Sequence, residues 1–170
     1  MKLYLAEYEI QAILKHISKL INEDYKGINE PLLVIGLLKG SVIFLSDLIR
    51  KLEIPIILDF MMVSSYNNEN QQEKEIKIIL DLNTSIAGKD VLVVEDIIDT
   101  GKTFYKVLEL LKSRNPKSLK TCALLDKKEC REVEVQLDYR GIVIPNKFVY
   151  GYGLDNAQMD RHLPYIATPE

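Results

Sequence analysis

Apolar residues recur along this chain with two different periods, and the way those periods alternate gives the first outline of a fold. Ile10, Ile13, Leu14, Ile17, Leu20 and Ile21 repeat at helical spacing, with Gln11, Lys15, His16, Ser18 and Lys19 between them. A packing helix is predicted there, with His16 on its solvated face. Gly27 then marks a helix stop or turn. Pro31 opens Leu32-Leu33-Val34-Ile35-Gly36, a continuous apolar run of the kind shown by a strand buried on both faces. Leu37-Leu38-Lys39-Gly40 breaks the run, and Ser41 is placed to cap a second helix whose inner face is Val42, Leu45, Ile49 and Leu52.

Pro55 begins a further strand through Ile57, Phe60 and Val63 that ends at Ser64-Ser65-Tyr66. Asn67 to Glu75 is entirely polar and reads as a mobile surface loop, since it has nothing to give a core. Ile76, Ile78, Leu80 and Leu82 then alternate as in a strand, and Ala87-Gly88-Lys89-Asp90 turns into Val91-Leu92-Val93-Val94. A third helix runs through Phe104, Val107, Leu108 and Leu111 and stops before Pro116, after which Leu119 to Leu125 forms the next strand. Short β runs at Ile142 to Ile144, Phe148 to Tyr150 and Tyr165 to Ala167 close the chain. Strands alternating with helices predict an α/β fold, a mainly parallel sheet flanked by helices.

Composition narrows the partners more than the fold. A chain of 170 residues with 47% hydrophobic content suits a single domain, residues 1–170, around one sizeable core. A net charge of −3 and a pI near 5.5 supply no global field for a nucleic-acid backbone, so no nucleic acid is expected as partner. Cys122 and Cys130 are too few for a disulfide framework and lack zinc-like spacing, which fits a reduced, cytoplasmic protein. No apolar run approaches the roughly 18 residues of a membrane span, so no membrane association is expected.

The chemistry concentrates where the central strand ends. Val91 to Val94 meets Glu95, Asp96 and Asp99, and then Thr100-Gly101-Lys102-Thr103 leads into the third helix. In a parallel sheet ligands bind beyond the carboxyl ends of the strands, and Leu38-Lys39, Glu95-Asp96 and Lys127-Lys128 all fall at such ends. A P-loop is excluded, because Asp96 stands where its first glycine belongs. A dinucleotide fingerprint fails too, because Asn156 stands where a third glycine would follow Gly151 and Gly153. What remains at Thr100 to Thr103 is a short loop whose backbone N–H groups and hydroxyls, with a helix N-terminus behind them, suit a terminal phosphate. Glu95 and Asp96 suit hydroxyl groups, or a Mg²⁺ that neutralises further phosphates. Phosphoribosyl pyrophosphate carries all of these groups.

Val91 to Thr103 resembles the signature of the type I phosphoribosyltransferases. The resemblance runs in order through Leu33 to Ser41, Val63 to Tyr66, Leu124 to Lys127, Ile144 to Asp155 and Arg161 to Ile166, and is strongest to members that act on 6-oxopurines. It implies the type I phosphoribosyltransferase fold, with a small hood formed by the C-terminal segment, and assembly as a homodimer or homotetramer. It also implies a reaction of purine salvage: hypoxanthine or guanine displaces pyrophosphate from the sugar through N9, giving IMP or GMP.

The resemblance carries roles residue by residue. Asp99 would hold the proton on purine N7 as catalytic base. Glu95 and Asp96 would contact the ribose hydroxyls and, with Asp155, bind Mg²⁺. Thr100, Gly101, Lys102 and Thr103 would bind ribose phosphate, although Lys102 reads equally as a solvent-facing lysine whose backbone does the binding. Leu38, Lys39 and Gly40 resemble a pyrophosphate loop whose first peptide bond is typically cis, and Arg161 would be the second pyrophosphate contact. Phe148 would stack on the purine, Val149 and Asp155 would meet its edge through their backbones, and Lys127 would donate to the C6 oxygen, which an ammonium suits and an adenine amino group does not. Ser65 and Tyr66 would close over the site as a lid. Arg131 matches a basic position near the pyrophosphate region.

Departures from the family pattern are Asn67 to Glu75 in place of a Gly- and Ser-containing loop, Leu80 for a common lysine, and Asn156 and Asp160 for usual aromatics. Asp160 is expected to pair with Arg161 and weaken pyrophosphate binding. A nucleic-acid-binding regulator that senses phosphoribosyl pyrophosphate on the same fold is the other reading, opposed by the acidic pI and the intact Asp99, Lys127 and Phe148.

Overall fold

The computed structural model of the chain describes residues 1–67 and 74–169. Its centre is a six-stranded sheet of β2 (Leu32–Leu37), β3 (Ile56–Asn67), β4 (Lys74–Leu80), β5 (Asp90–Ile98), β6 (Ser118–Asp126) and β7 (Tyr139–Val143), in the order β4-β3-β2-β5-β6-β7. All neighbours are parallel except β3 and β4, which form an antiparallel pair.

Among the described residues three α-helices cover the sheet: α1 (Glu7–Asp24), α2 (Val42–Ile49) and α3 (Lys102–Lys112). Because side chains alternate along a strand, β2 and β5 feed two cores at once. Leu32, Val34, Leu92 and Val94 pack with Ile10, Leu14, Ile17 and Ile21 of α1 and Phe44, Leu45 and Leu48 of α2. Leu33, Ile35, Val91 and Val93 face the other way, against Phe104, Val107, Leu108 and Leu111 of α3. Each of these buried apolar side chains contributes roughly 1.5–3 kcal/mol, so the strand carrying the acids is held from both faces.

Several expectations are corrected. The inner face of α2 is Phe44, Leu45 and Leu48, while Val42 is exposed and Ile49 and Leu52 only half-buried. Ser41 does hold the N-cap position of α2, but its side chain makes no cap bond; its hydroxyl donates to the Leu37 carbonyl at 2.5 Å, fastening the turn after β2. Of the polar stretch expected as a loop, Asn67 and Glu75 lie in β3 and β4, with Tyr66 opposite Glu75. Residues 68–73 lie outside the described residues. The run Phe148 to Tyr150 is not a strand: Tyr150 makes one isolated bridge to Ala167. The hood joins both chain ends, since β1 (Lys2–Leu5) pairs antiparallel with β8 (Ile166–Thr168). Tyr152 ties this hood to α2 through a hydrogen bond from its hydroxyl to Asp47.

Candidate active site

Three chain segments meet at the carboxyl ends of β2, β5 and β6. Glu95 and Asp96 sit near the end of β5, their order fixed by local bonds: the Asp96 amide donates to Glu95 Oε1 at 3.0 Å and the Ile97 amide to Asp96 Oδ1 at 2.8 Å. Asp96 is buried. Glu95 is half-buried, and desolvation, then the adjacent Asp96 charge, raises its pKa well above the usual carboxylate range. Two acids held side by side are a site that cationic charge or hydroxyl donors would relieve.

The turn after β2 closes on this pair. The Leu38–Lys39 peptide bond is cis, and Gly40 lies so close to the acids that a Cβ there would stand 1.8 Å from Asp96 Oδ2. The hood stacks on the same turn from the other side, for a Cβ on Gly153 would stand 2.1 Å from the Gly40 carbonyl oxygen. Only glycines let the Gly40 and Gly153 backbones, with the Asp96 carboxylate, approach in this way.

Beyond the acids, Asp99 is half-exposed, and its Oδ2 lies 3.3 Å from the Nζ of Lys127, whose side chain is only 10% exposed. The Lys127 amide donates to the Ile98 carbonyl at 2.9 Å, so β5 and β6 end in register and deliver base and ammonium together. Gly101 begins α3, and the Lys102 amide lies 3.4 Å from Thr100 Oγ1. The Lys102 ammonium is drawn aside to Glu132 Oε2 at 2.5 Å, which leaves the backbone of this loop as its anion-facing part. Glu95, Asp99, Thr100, Gly101 and Thr103 line a pocket of about 140 Å³. A wider cleft of about 570 Å³ opens over Asp99, Thr100, Glu129, Cys130, Glu132 and Asn146. A separate hollow of about 700 Å³ lies beside the start of β2 and β3 among Lys15, Asn22 and Lys51, away from all of these groups.

In the hood, Arg161 donates to the Gly153 carbonyl at 2.9 Å and pairs with Asp155 Oδ1 at 3.1 Å. The expected pairing of Arg161 with Asp160 does not form; Asp160 Oδ2 instead accepts from Asn156 Nδ2 at 3.2 Å. Phe148 is 54% exposed and so available for stacking rather than part of the core, with Tyr150 tilted beside it at 6.2 Å between centroids. Val149 is buried behind it. Ser65 and Tyr66 are exposed near the end of β3.

Not every expected grouping forms. Among the described residues no three acidic, His or Cys side chains converge as a closed metal cage, so Asp155 stands apart from Glu95 and Asp96. Arg131 does not reach out as expected, its guanidinium being bonded to Asp126 and to the Asp99 carbonyl. Asp126 itself was missed by sequence reasoning. Its signal was a carboxylate closing the apolar run of β6, where a buried charge must find cations.

Known proteins resemble this chain along most of its length. The family model described as "Phosphoribosyl transferase domain" matches residues 4–157. The chain is 47% identical over 165 residues to the hypoxanthine phosphoribosyltransferase of Buchnera aphidicola subsp. Schizaphis graminum, covering 97% of this chain and 93% of that protein. It is also 47% identical over 162 residues to that of Salmonella typhimurium, covering 95% and 91%. Among solved structures, a hypoxanthine-guanine phosphoribosyltransferase of Bacillus anthracis superimposes with a TM-score of 0.94 at 39% identity, covering 100% of this chain and 99% of that one. A hypoxanthine phosphoribosyltransferase of Staphylococcus aureus gives 0.93 at 44% identity, covering 99% and 91%.

Proposed function

This chain belongs to the phosphoribosyl transferase family, and we infer that it is a purine-salvage transferase that moves the 5-phosphoribosyl group of phosphoribosyl pyrophosphate to N9 of hypoxanthine or guanine. The observation that carries the reading is the pairing of Asp99 with the deeply set Lys127 beside a phosphate-suited loop. Lys127 offers donors only and so favours a C6 carbonyl. Asp99 holds the N7 proton while N9 attacks the sugar, and its carboxylate is oriented by the ammonium 3.3 Å away.

The backbone of Thr100 to Thr103 takes the 5′-phosphate. Lys39, Gly40 and Arg161 take the pyrophosphate, supported by the contact of Gly40 with both Asp96 and Gly153. Phe148 covers the purine face while Val149 and Asp155 meet its edge. Ser65 and Tyr66 close the opening and keep water from an oxocarbenium-like centre. Glu95 and Asp96 would hold one Mg²⁺, and Asp155, which stands apart from them, would meet a second on the pyrophosphate side. That ion commonly takes one or two carboxylates and completes its shell with substrate oxygens and water, so an open acidic pair fits it, and it would neutralise the leaving pyrophosphate.

The chain acts as one domain in two or four copies, a reading supported by the shared β1–β8 hood and by exposed Ile57, Leu58, Ile78, Ile79 and Leu80 on the β3–β4 side. Free Cys122 and Cys130 support a cytoplasmic setting. Among the described residues no helix is long and apolar enough to cross a membrane.

Asp99→Asn tests the assignment. Wild type should form IMP from hypoxanthine, and the variant should melt at the same temperature while kcat falls roughly 10²–10⁴-fold. Wild-type kcat in the variant would remove Asp99 from the mechanism.

A further inference from the structure

Arg131 occupies a position that its chemistry alone would place among the anion contacts, but both of its terminal nitrogens are engaged with protein oxygens. One donates to Asp126 Oδ1, and the other donates to the main-chain carbonyl of Asp99 at 2.9 Å. Asp126 is fully buried at the end of β6, and its second oxygen accepts from Arg140 Nε at 2.7 Å. The stem of Arg131 meanwhile lies against Gly101, where a Cβ would stand 2.9 Å from Arg131 Cδ. One residue further on, the Glu132 amide donates to the Thr100 carbonyl at 2.9 Å. The segment that follows Lys127 therefore grips the Asp99–Thr100–Gly101 backbone at three successive residues.

We propose that Arg131 is a positioning residue for the transfer reaction: its guanidinium bridges the buried Asp126 carboxylate to the Asp99 carbonyl and so fixes both the catalytic carboxylate and the start of the phosphate loop. An arginine is required because two acceptors, one at the end of β6 and one just past the end of β5, must be met at once by donors in a fixed plane, which a lysine's single ammonium on a flexible stem does not provide. Asp126 supplies the anchor. It cannot move without leaving a buried charge unpaired, so the fork is held from the core outward. Arg140 provides the internal control, since it binds the same carboxylate from the more exposed side, with 43% of its side chain accessible. The inference rests on the reading of Asp99 as the base, but its structural half can be measured separately.

The test compares full-length wild type with Arg131→Lys and Arg140→Lys by amide hydrogen exchange and by kinetics with phosphoribosyl pyrophosphate, Mg²⁺ and hypoxanthine. In Arg131→Lys, exchange at Thr100 to Thr103 should accelerate about tenfold or more, and kcat should fall roughly ten- to hundredfold, as expected for a misplaced catalytic group. Arg140→Lys should keep wild-type exchange in that loop and kcat within about twofold, even where it lowers the melting temperature as much. If Arg131→Lys does not fold, Arg131→Gln, which keeps an uncharged donor, takes its place with the same readings. Unchanged exchange and kcat in the Arg131 variant would overturn the proposal, as would equal losses in the Arg140 variant. A wild type that forms no nucleotide counts against the assigned reaction, while the exchange contrast still decides the role of Arg131.

Discussion

Gly40→Ala probes the site without removing any of its chemical groups. The new Cβ would stand 1.8 Å from Asp96 Oδ2, 2.7 Å from its Cγ and 3.2 Å from Oδ1. The nearer oxygen has to retreat by roughly 1.5–2 Å to reach an ordinary contact distance. It has little freedom to do so, because Asp96 is buried and its other oxygen accepts from the Ile97 amide at 2.8 Å. Overpacking of this kind costs about 1–3 kcal/mol, or a fall in Tm of several degrees for a chain of this size. The functional effect should be larger, since moving a catalytic group by 1 Å or so costs about 10²-fold. kcat/KM for phosphoribosyl pyrophosphate should therefore drop some ten- to hundredfold, measured by pyrophosphate release. Gly88→Ala is the matched control: it imposes the strain of φ +70° in open space, with no atom within 4 Å of its Cβ. It should lower Tm and leave turnover alone. If Gly40→Ala kept wild-type kcat/KM, the placement of Asp96 would not matter to the reaction and the argument from this contact would fail.

The purine end and the acid pair make separate predictions. Lys127→Gln should lower kcat/KM for hypoxanthine roughly ten- to hundredfold, the worth of a charge-assisted hydrogen bond, and narrow the discrimination against adenine, since an amide can accept as well as donate. Unaltered base preference in steady-state assays would speak against the O6 contact. For Glu95, whose pKa is raised by burial and then by Asp96, the folded state holds the proton more tightly than the unfolded chain does. Its contribution is fully present below its ordinary value of 4.5 and is lost as pH rises through the raised value. Glu95→Gln should accordingly melt above wild type at about pH 8, and the gain should vanish below about pH 4.5, while activity is lost. Coincident Tm curves across that range would show that Glu95 ionises without penalty.

What the sequence revealed was what short stretches encode. Val91 to Thr103 is strand, acids, loop and helix in immediate succession, so the local order of residues already placed Glu95, Asp96 and Asp99 around a phosphate-suited turn. Leu32 to Gly36 likewise announced a strand buried on both faces. Pairings between distant segments were not legible. β1 is four residues long and mostly exposed, and nothing in Lys2 to Leu5 points to Thr168 at the other end of the chain. The β3–β4 pairing extends to Asn67 and Glu75 because a ladder of backbone hydrogen bonds does not depend on apolar side chains, a condition that hydrophobic alternation cannot register. Arg161 shows the same limit in charge pairing: Asp160 is its neighbour in sequence, yet Asp155 is its partner in space. Arg131 could be matched to a basic position, but its attachment to Asp126 depends on where β6 ends.

The most direct test of the account is nucleotide formation by the purified chain with phosphoribosyl pyrophosphate, Mg²⁺ and, in parallel, hypoxanthine, guanine, xanthine and adenine. The donor-only Lys127 beside Asp99 predicts nucleotide from hypoxanthine or guanine, with release of pyrophosphate, and none from adenine. Product from adenine alone, or from no base at all, would contradict it.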